Sequence, residues 1–234
     1  MKQDADKKDA DRQQKKIGIL GGTFNPVHLG HLILAEEARM QFDLDQILFI
    51  PNHIPPHRNL KLETLASDKD RCSMLLLATM SNPYFNVSKI ELDKEEISYT
   101  IHTLEDLKRL QPENSFYFIC GTDALLMHNW YRFDDLIEKL HGFILADREG
   151  EGIEKVREKI KTRGLSAVEK IKRVDMISVG ISSTSIRTRL QNHQSIRYLT
   201  PEPVEEYMIR NNLYGFKPLN PEGRTRLEKE PDPL

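Results

Sequence analysis

Only two cysteines, Cys72 and Cys120, occur in the 234 residues. They lie too far apart to form a metal-ligand pair, and they are too few for a disulfide framework. Reduced, packed thiols in a cytosol account for them, so the expectation is a cytoplasmic protein. No apolar run approaches the roughly 20 residues that cross a bilayer, and the polar N-terminus lacks the apolar core of a secretory signal. Charge of one sign is missing too: 30% of residues are charged, yet the formal net charge is −2. No global field therefore calls for nucleic acid or a membrane surface, and any anion site is local. Also absent are the Gly-x-Gly-x-x-Gly spacing of dinucleotide sites and the Gly-Lys-Ser/Thr of the P-loop.

What is present is a different phosphate-sized loop. Ile17-Gly18-Ile19-Leu20 reads as a buried strand, and it runs into Gly21-Gly22-Thr23-Phe24-Asn25-Pro26-Val27-His28-Leu29-Gly30-His31. Paired glycines let backbone N–H groups approach a phosphate, Thr23 adds a hydroxyl, and a helix start adds a favourable dipole. His28 and His31, at i and i+3, share one face of the first turn and aim at the same anion. The alternative is that they merely cap and pack the helix.

Further along, the chain alternates between short apolar runs and amphipathic stretches. Residues 1–16 hold no large apolar side chain after Met1 and read as a disordered extension; residues 216–234 read as a disordered tail. Between them, residues 17–215 form one domain. Leu32, Leu34, Ala35, Ala38 and Phe42 mark a helix, and Ile47–Ile50 a buried strand. That strand ends in Pro51-Asn52-His53-Ile54-Pro55-Pro56-His57-Arg58, a stiff loop with a cation at its end. Asp68–Met80 reads as a helix and residues 85–90 as a strand. Ser98 reads as the cap of a helix reaching Leu110, whose free N–H groups suit a carboxylate.

Ser115–Cys120 is a strong strand, followed by Gly121-Thr122-Asp123 and the single tryptophan, Trp130. Asp123 is either an N-cap or an acceptor for ribose hydroxyls, and Trp130 either a core plug or a stacking surface. Residues 142–146 read as a strand, 151–172 as a solvated helix and loop, 174–179 as the last strand, and 201–213 as a final helix. Ser182, Ser183 and Thr184 open a helix that carries Arg187, which makes a second anion cradle. Strands alternating with helices, with the informative segments at strand ends, give a doubly wound, Rossmann-like parallel α/β fold.

GGTFNPVHLGH and ISSTSIR resemble the signatures of nucleotidyltransferases that join a phosphorylated metabolite to AMP. PPHR, SYT, and the pair Asp123 and Trp130 resemble, within that group, the nicotinate-nucleotide adenylyltransferases. The resemblance implies adenylyl transfer from ATP to nicotinate mononucleotide, giving the deamido dinucleotide and pyrophosphate in NAD synthesis. It implies catalytic roles for His28, His31 and Arg187. Phosphate contacts fall to Gly21, Gly22, Thr23, Phe24, Arg58, Ser182, Ser183 and Thr184. Nicotinate mononucleotide contacts fall to Ser98, Tyr99, Thr100, Asp123, Trp130, Tyr131 and Arg148. Mg2+ is expected as a cofactor carried by ATP, with no metal site on the protein. Neither nucleic acid nor a membrane is an expected partner, and a homo-oligomer is compatible with the sequence. The alternatives are an amide nucleotide or another phosphorylated acceptor, or a nucleotide-sensing module without turnover.

Overall fold

Strand β1 (Lys16–Gly22) sends Ile17 and Ile19 into one apolar cluster and Leu20 into another. The same alternation recurs in β2 (Gln46–Pro51), β4 (Ser115–Gly121) and β5 (Gly142–Ala146). Phe116, Phe118, Phe143 and Leu145 join the first cluster, whereas Phe49, Ile119 and Ile144 join the second. A sheet apolar on both faces has to be covered on both, which is the condition for a parallel, doubly wound arrangement. The computed structural model describes residues 14–55, 65–127, 130–147, 152–165, 167–177 and 179–215. The expected extensions lie almost wholly outside these residues, as do Arg58 and Arg148.

Among the described residues six strands, including β3 (Phe85–Val87) and β6 (Ile171–Val174), run parallel in the order β3-β2-β1-β4-β5-β6. The helices are α1 (Leu29–Gln41), α2 (Asp68–Thr79), α3 (Thr100–Leu110), α4 (Thr122–Met127), α5 (Phe133–Lys139), α6 (Gly152–Thr162), α7 (Ser183–Gln191) and α8 (Glu202–Arg210). Ala35, Ala38, Met74, Leu75, Ile186, Val204 and Met208 cover one face. Ile101, Leu104, Leu136, Ile137, Ile153 and Ile160 cover the other. Each large side chain so buried contributes about 1.5–3 kcal/mol. Strand order reverses between β1 and β4, so the carboxyl ends Gly21-Gly22 and Cys120-Gly121 flank the crevice where such sheets bind ligands.

Four sequence expectations shift. The last strand is Ile171–Val174 and not 174–179. It is an edge strand whose central Lys172 and Arg173 are exposed, a charge pattern that blocks edge-to-edge pairing and hides the strand from hydrophobicity. Apolar Ile177, which suggested the later position, is 70% exposed. Strand β3 stops at Val87, short of residue 90. The final helix ends at Arg210, and a 3-10 turn, Leu213–Gly215, follows it. Pairing with β4 also reaches further back than expected: Ser115 N donates to Lys15 O at 2.8 Å, and Gln14 Nε2 donates to Ser115 Oγ at 3.0 Å.

Candidate active site

The loop leaving β1 is held from beneath by its own aromatic residue. Phe24, at φ 49, is 2% exposed, and its ring lies 5.0 Å from His31, edge-on. Its side chain is therefore a support under the loop, and only its main chain is placed to meet an anion. Gly21 is exposed at the strand end. Thr23 Oγ1 accepts from Asn52 Nδ2 at 3.3 Å, so its hydroxyl hydrogen remains a donor.

His28 and His31 form the start of α1. His28 is the N-cap, and its backbone N–H donates to His31 Nδ1 at 3.2 Å. The rings stack with centroids 3.7 Å apart at 27°. Because Nδ1 of His31 accepts, the neutral ring carries its proton on Nε2. Gly30 allows this packing: a Cβ there would lie 3.1 Å from the His28 ring.

The second cradle meets the first. Ser182 caps α7 by accepting from Ser185 N at 3.1 Å, and Ser185 Oγ accepts from Ser182 N at 3.2 Å. Ser183 Oγ donates to Pro26 O at 2.7 Å. Arg187 Nη1 donates to Asn25 O at 2.7 Å, and Nη2 to Thr184 Oγ1 at 3.3 Å. Segments some 160 residues apart thus converge on the Asn25-Pro26 step.

A buried polar network joins the loops after β1 and β2. Arg71, 0% exposed, donates to Thr23 O at 2.8 Å and to Asn52 O at 2.6 Å, and it pairs with Asp68. Asp68 in turn meets His53. His53 N donates to Ser98 Oγ at 3.0 Å, and Ser98 N donates to Ile54 O at 3.0 Å. The Ser98 hydroxyl is thereby part of a bridge between loops and does not cap a helix. Helix α3 starts at Thr100 with Tyr99 as its N-cap.

Beyond that bridge lies an aromatic cluster. The Tyr99 and Tyr131 rings are 4.6 Å apart, and His102 lies 5.7 Å from each, edge-on. Trp130 is half-buried, edge-on to Phe118 at 5.5 Å, and its Nε1 donates to Ala124 O at 2.8 Å. Asp123 is exposed in the first turn of α4. The Glu91 carboxyl accepts from Thr103 Oγ1 at 2.6 Å, and burial pushes it above the usual carboxylate range despite its hydrogen bonds to Thr103 and Ser98. Sequence reasoning missed Asn25, Arg71, His102 and Glu91. For Asn25 and His102 the signal was adjacency to a motif residue, whereas a helix-borne arginine such as Arg71 reads as solvated.

A Rossmann-like sheet, with two helix starts and an arginine meeting at its switch point, defines an anion-binding α/β nucleotide site. The cytidylyltransferase-like family model matches residues 19–189. A probable nicotinate-nucleotide adenylyltransferase of Moorella thermoacetica is 41% identical over 85% of this chain and 91% of its own. One from Dictyoglomus thermophilum is 44% identical over 85% and 99%. A solved structure, Plasmodium falciparum nicotinic acid mononucleotide adenylyltransferase complexed with NaAD, superposes with a TM-score of 0.69. At 21% identity, covering 87% of this chain and 99% of that one, it shares the fold. The chain belongs to the cytidylyltransferase-like family and, within it, to the nicotinate-nucleotide adenylyltransferases.

Proposed function

We propose that this protein transfers the adenylyl group of ATP to nicotinate mononucleotide, releasing pyrophosphate and forming nicotinate adenine dinucleotide for NAD synthesis. The observation that carries the reading is the meeting of the stacked His28 and His31 with Arg187 at one loop. The nucleophile is a phosphate whose second pKa is about 6, so at neutral pH it is mostly dianionic and needs no general base. One of its oxygens attacks the α-phosphorus in line, and the bond from that phosphorus to the bridging oxygen breaks, so that pyrophosphate leaves with the electron pair. No covalent intermediate on the protein is required.

The chain's residues then act by position and charge. His31 Nε2–H and His28 meet the α-phosphoryl oxygens, while the Gly21-Gly22 backbone and Thr23 hydroxyl hold the triphosphate. Arg187, beside the Ser182, Ser183 and Thr184 cap, neutralises charge on the leaving group. Ser98, Tyr99 and Thr100 lie along the helix start suited to the nicotinate carboxylate, with Tyr131 and Trp130 flanking the pyridine and Asp123 taking ribose hydroxyls. Arg58 and Arg148, outside the described residues, are assigned to phosphate and mononucleotide by the family motif. Mg2+ enters with ATP as the substrate complex and supplies charge neutralisation on the triphosphate.

The test is pyrophosphate release from Mg·ATP with nicotinate mononucleotide, nicotinamide mononucleotide and phosphopantetheine in separate assays. A large kcat/KM advantage for the acid nucleotide is expected. Equal use of acid and amide overturns the carboxylate assignment, and silence with all three leaves a nucleotide sensor.

A further inference from the structure

Tyr214 was no part of the motifs, yet it reaches the centre of the site. It sits in the turn Leu213–Gly215 at φ 57, ψ 20. That left-handed conformation is unfavourable for a residue with a Cβ. Strain of this kind persists only where surrounding contacts hold it. Here the hydroxyl of Tyr214 donates to Asn25 Oδ1, across 189 positions of sequence. Asn25 is 3% exposed, and the same Oδ1 accepts from Ala66 N at 3.0 Å. The backbone oxygen of Asn25 is the acceptor for Arg187 Nη1.

Arg187 depends on such contacts. One side of it borders a cavity of about 420 Å³ that Leu65, Gln191, Leu213 and Tyr214 also line. Packing alone therefore does not fix the guanidinium plane, and its bonds to Asn25 O and Thr184 Oγ1 do. We infer that Tyr214 is a positioning residue for Arg187: its hydroxyl holds Asn25 so that the Asn25 carbonyl orients the guanidinium toward the triphosphate. Burial pushes the Tyr214 phenol well above the usual tyrosine range, against the opposing pull of Arg187 and Arg71, so the hydroxyl stays protonated as a donor at neutral pH. The last turn of the domain thus completes the phosphate site at its first loop. This inference rests on the adenylyl-transfer reading for what Arg187 holds.

The test is a double-mutant cycle of Tyr214→Phe and Arg187→Lys. It reads both the dissociation constant of an α,β-methylene analogue of ATP and kcat/KM for ATP. Loss of one hydrogen bond that orients a charged group predicts about tenfold weaker analogue binding and about tenfold lower kcat/KM in Y214F. KM for the mononucleotide stays close to wild type, and the melting temperature falls by no more than the few degrees one lost hydrogen bond predicts. In the R187K background the same hydroxyl removal changes binding by less than about twofold, because the fork it orients is gone. Equal fold-losses in both backgrounds, or no loss in Y214F, overturn the inference. If wild-type protein releases no pyrophosphate with any acceptor, the adenylyl-transfer reading fails on its own, and the analogue-binding cycle still decides Tyr214.

Discussion

The backbone N–H of His28 donates to Nδ1 of His31 at 3.2 Å, and the two rings stack at 3.7 Å. One imidazole therefore satisfies the start of α1 and, when neutral, carries its proton on Nε2. These duties separate on mutation. His31→Ala removes a cap worth about 1 kcal/mol, a drop in melting temperature of a few degrees. Loss of a preorganised oxyanion donor lowers kcat about 100- to 1,000-fold. Steady-state kinetics beside thermal unfolding check this, and normal turnover would remove His31 from the chemistry.

Gly18 faces the opposite demand. A Cβ there would lie 2.7 Å from Ile47 Cδ1, 2.8 Å from Ile119 Cδ1 and 2.9 Å from Leu44 Cδ1. Gly18→Ala overpacks the centre of the sheet and costs about 1–3 kcal/mol. Denaturant unfolding should show the loss, with kcat per folded molecule unchanged.

Trp130 is both anchored and half-buried, and two substitutions tell its roles apart. Trp130→Phe keeps an aromatic face but loses the bond to Ala124 O, at about 1 kcal/mol of stability. Trp130→Ala loses the face as well, and removing a stacking platform raises KM for the mononucleotide about tenfold while KM for ATP stays the same. A tenfold rise for ATP instead would relocate the pyridine.

Glu91 gives the fold a pH signature. Its folded pKa is raised above the ordinary 4.5, chiefly by burial. The folded state therefore holds its proton more tightly than the unfolded state, and stability is lost as pH rises from the unfolded pKa through the folded one. Glu91→Gln carries no such charge, so its melting temperature relative to wild type should climb as pH rises above the ordinary carboxylate value of 4.5. A difference that stays constant as pH rises would show that the carboxyl is not desolvated in the folded state.

Short-range patterns were legible because local geometry generates them. Gly21-Gly22 at a strand end, His28 and His31 one helical turn apart, and Ser182 ahead of Arg187 each specify a backbone shape within a few residues. Short apolar runs likewise placed β1, β2, β4 and β5, whereas the strand order that sets the switch point came only from the sheet. Edge strand β6 escaped because half its surface is solvent, so Lys172 and Arg173 stand where a central strand would have apolar residues. Ser98 misled for a related reason. A hydroxyl before a helix reads as a cap, and only the bridge Ile54↔Ile97 shows that it serves a neighbouring loop.

By itself the sequence determined the alternating α/β order, the two anion cradles and the residue types that line them, since these follow from spacing along one chain. Tertiary structure alone decided how the cradles are joined. Arg71 is fully buried because carbonyls of Thr23 and Asn52 lie within its reach, 48 and 19 positions away. Asn25 gathers Arg187, Ala66 and Tyr214 from three separate elements. Buried polar groups need partners, and no local pattern announces which distant backbone will supply them.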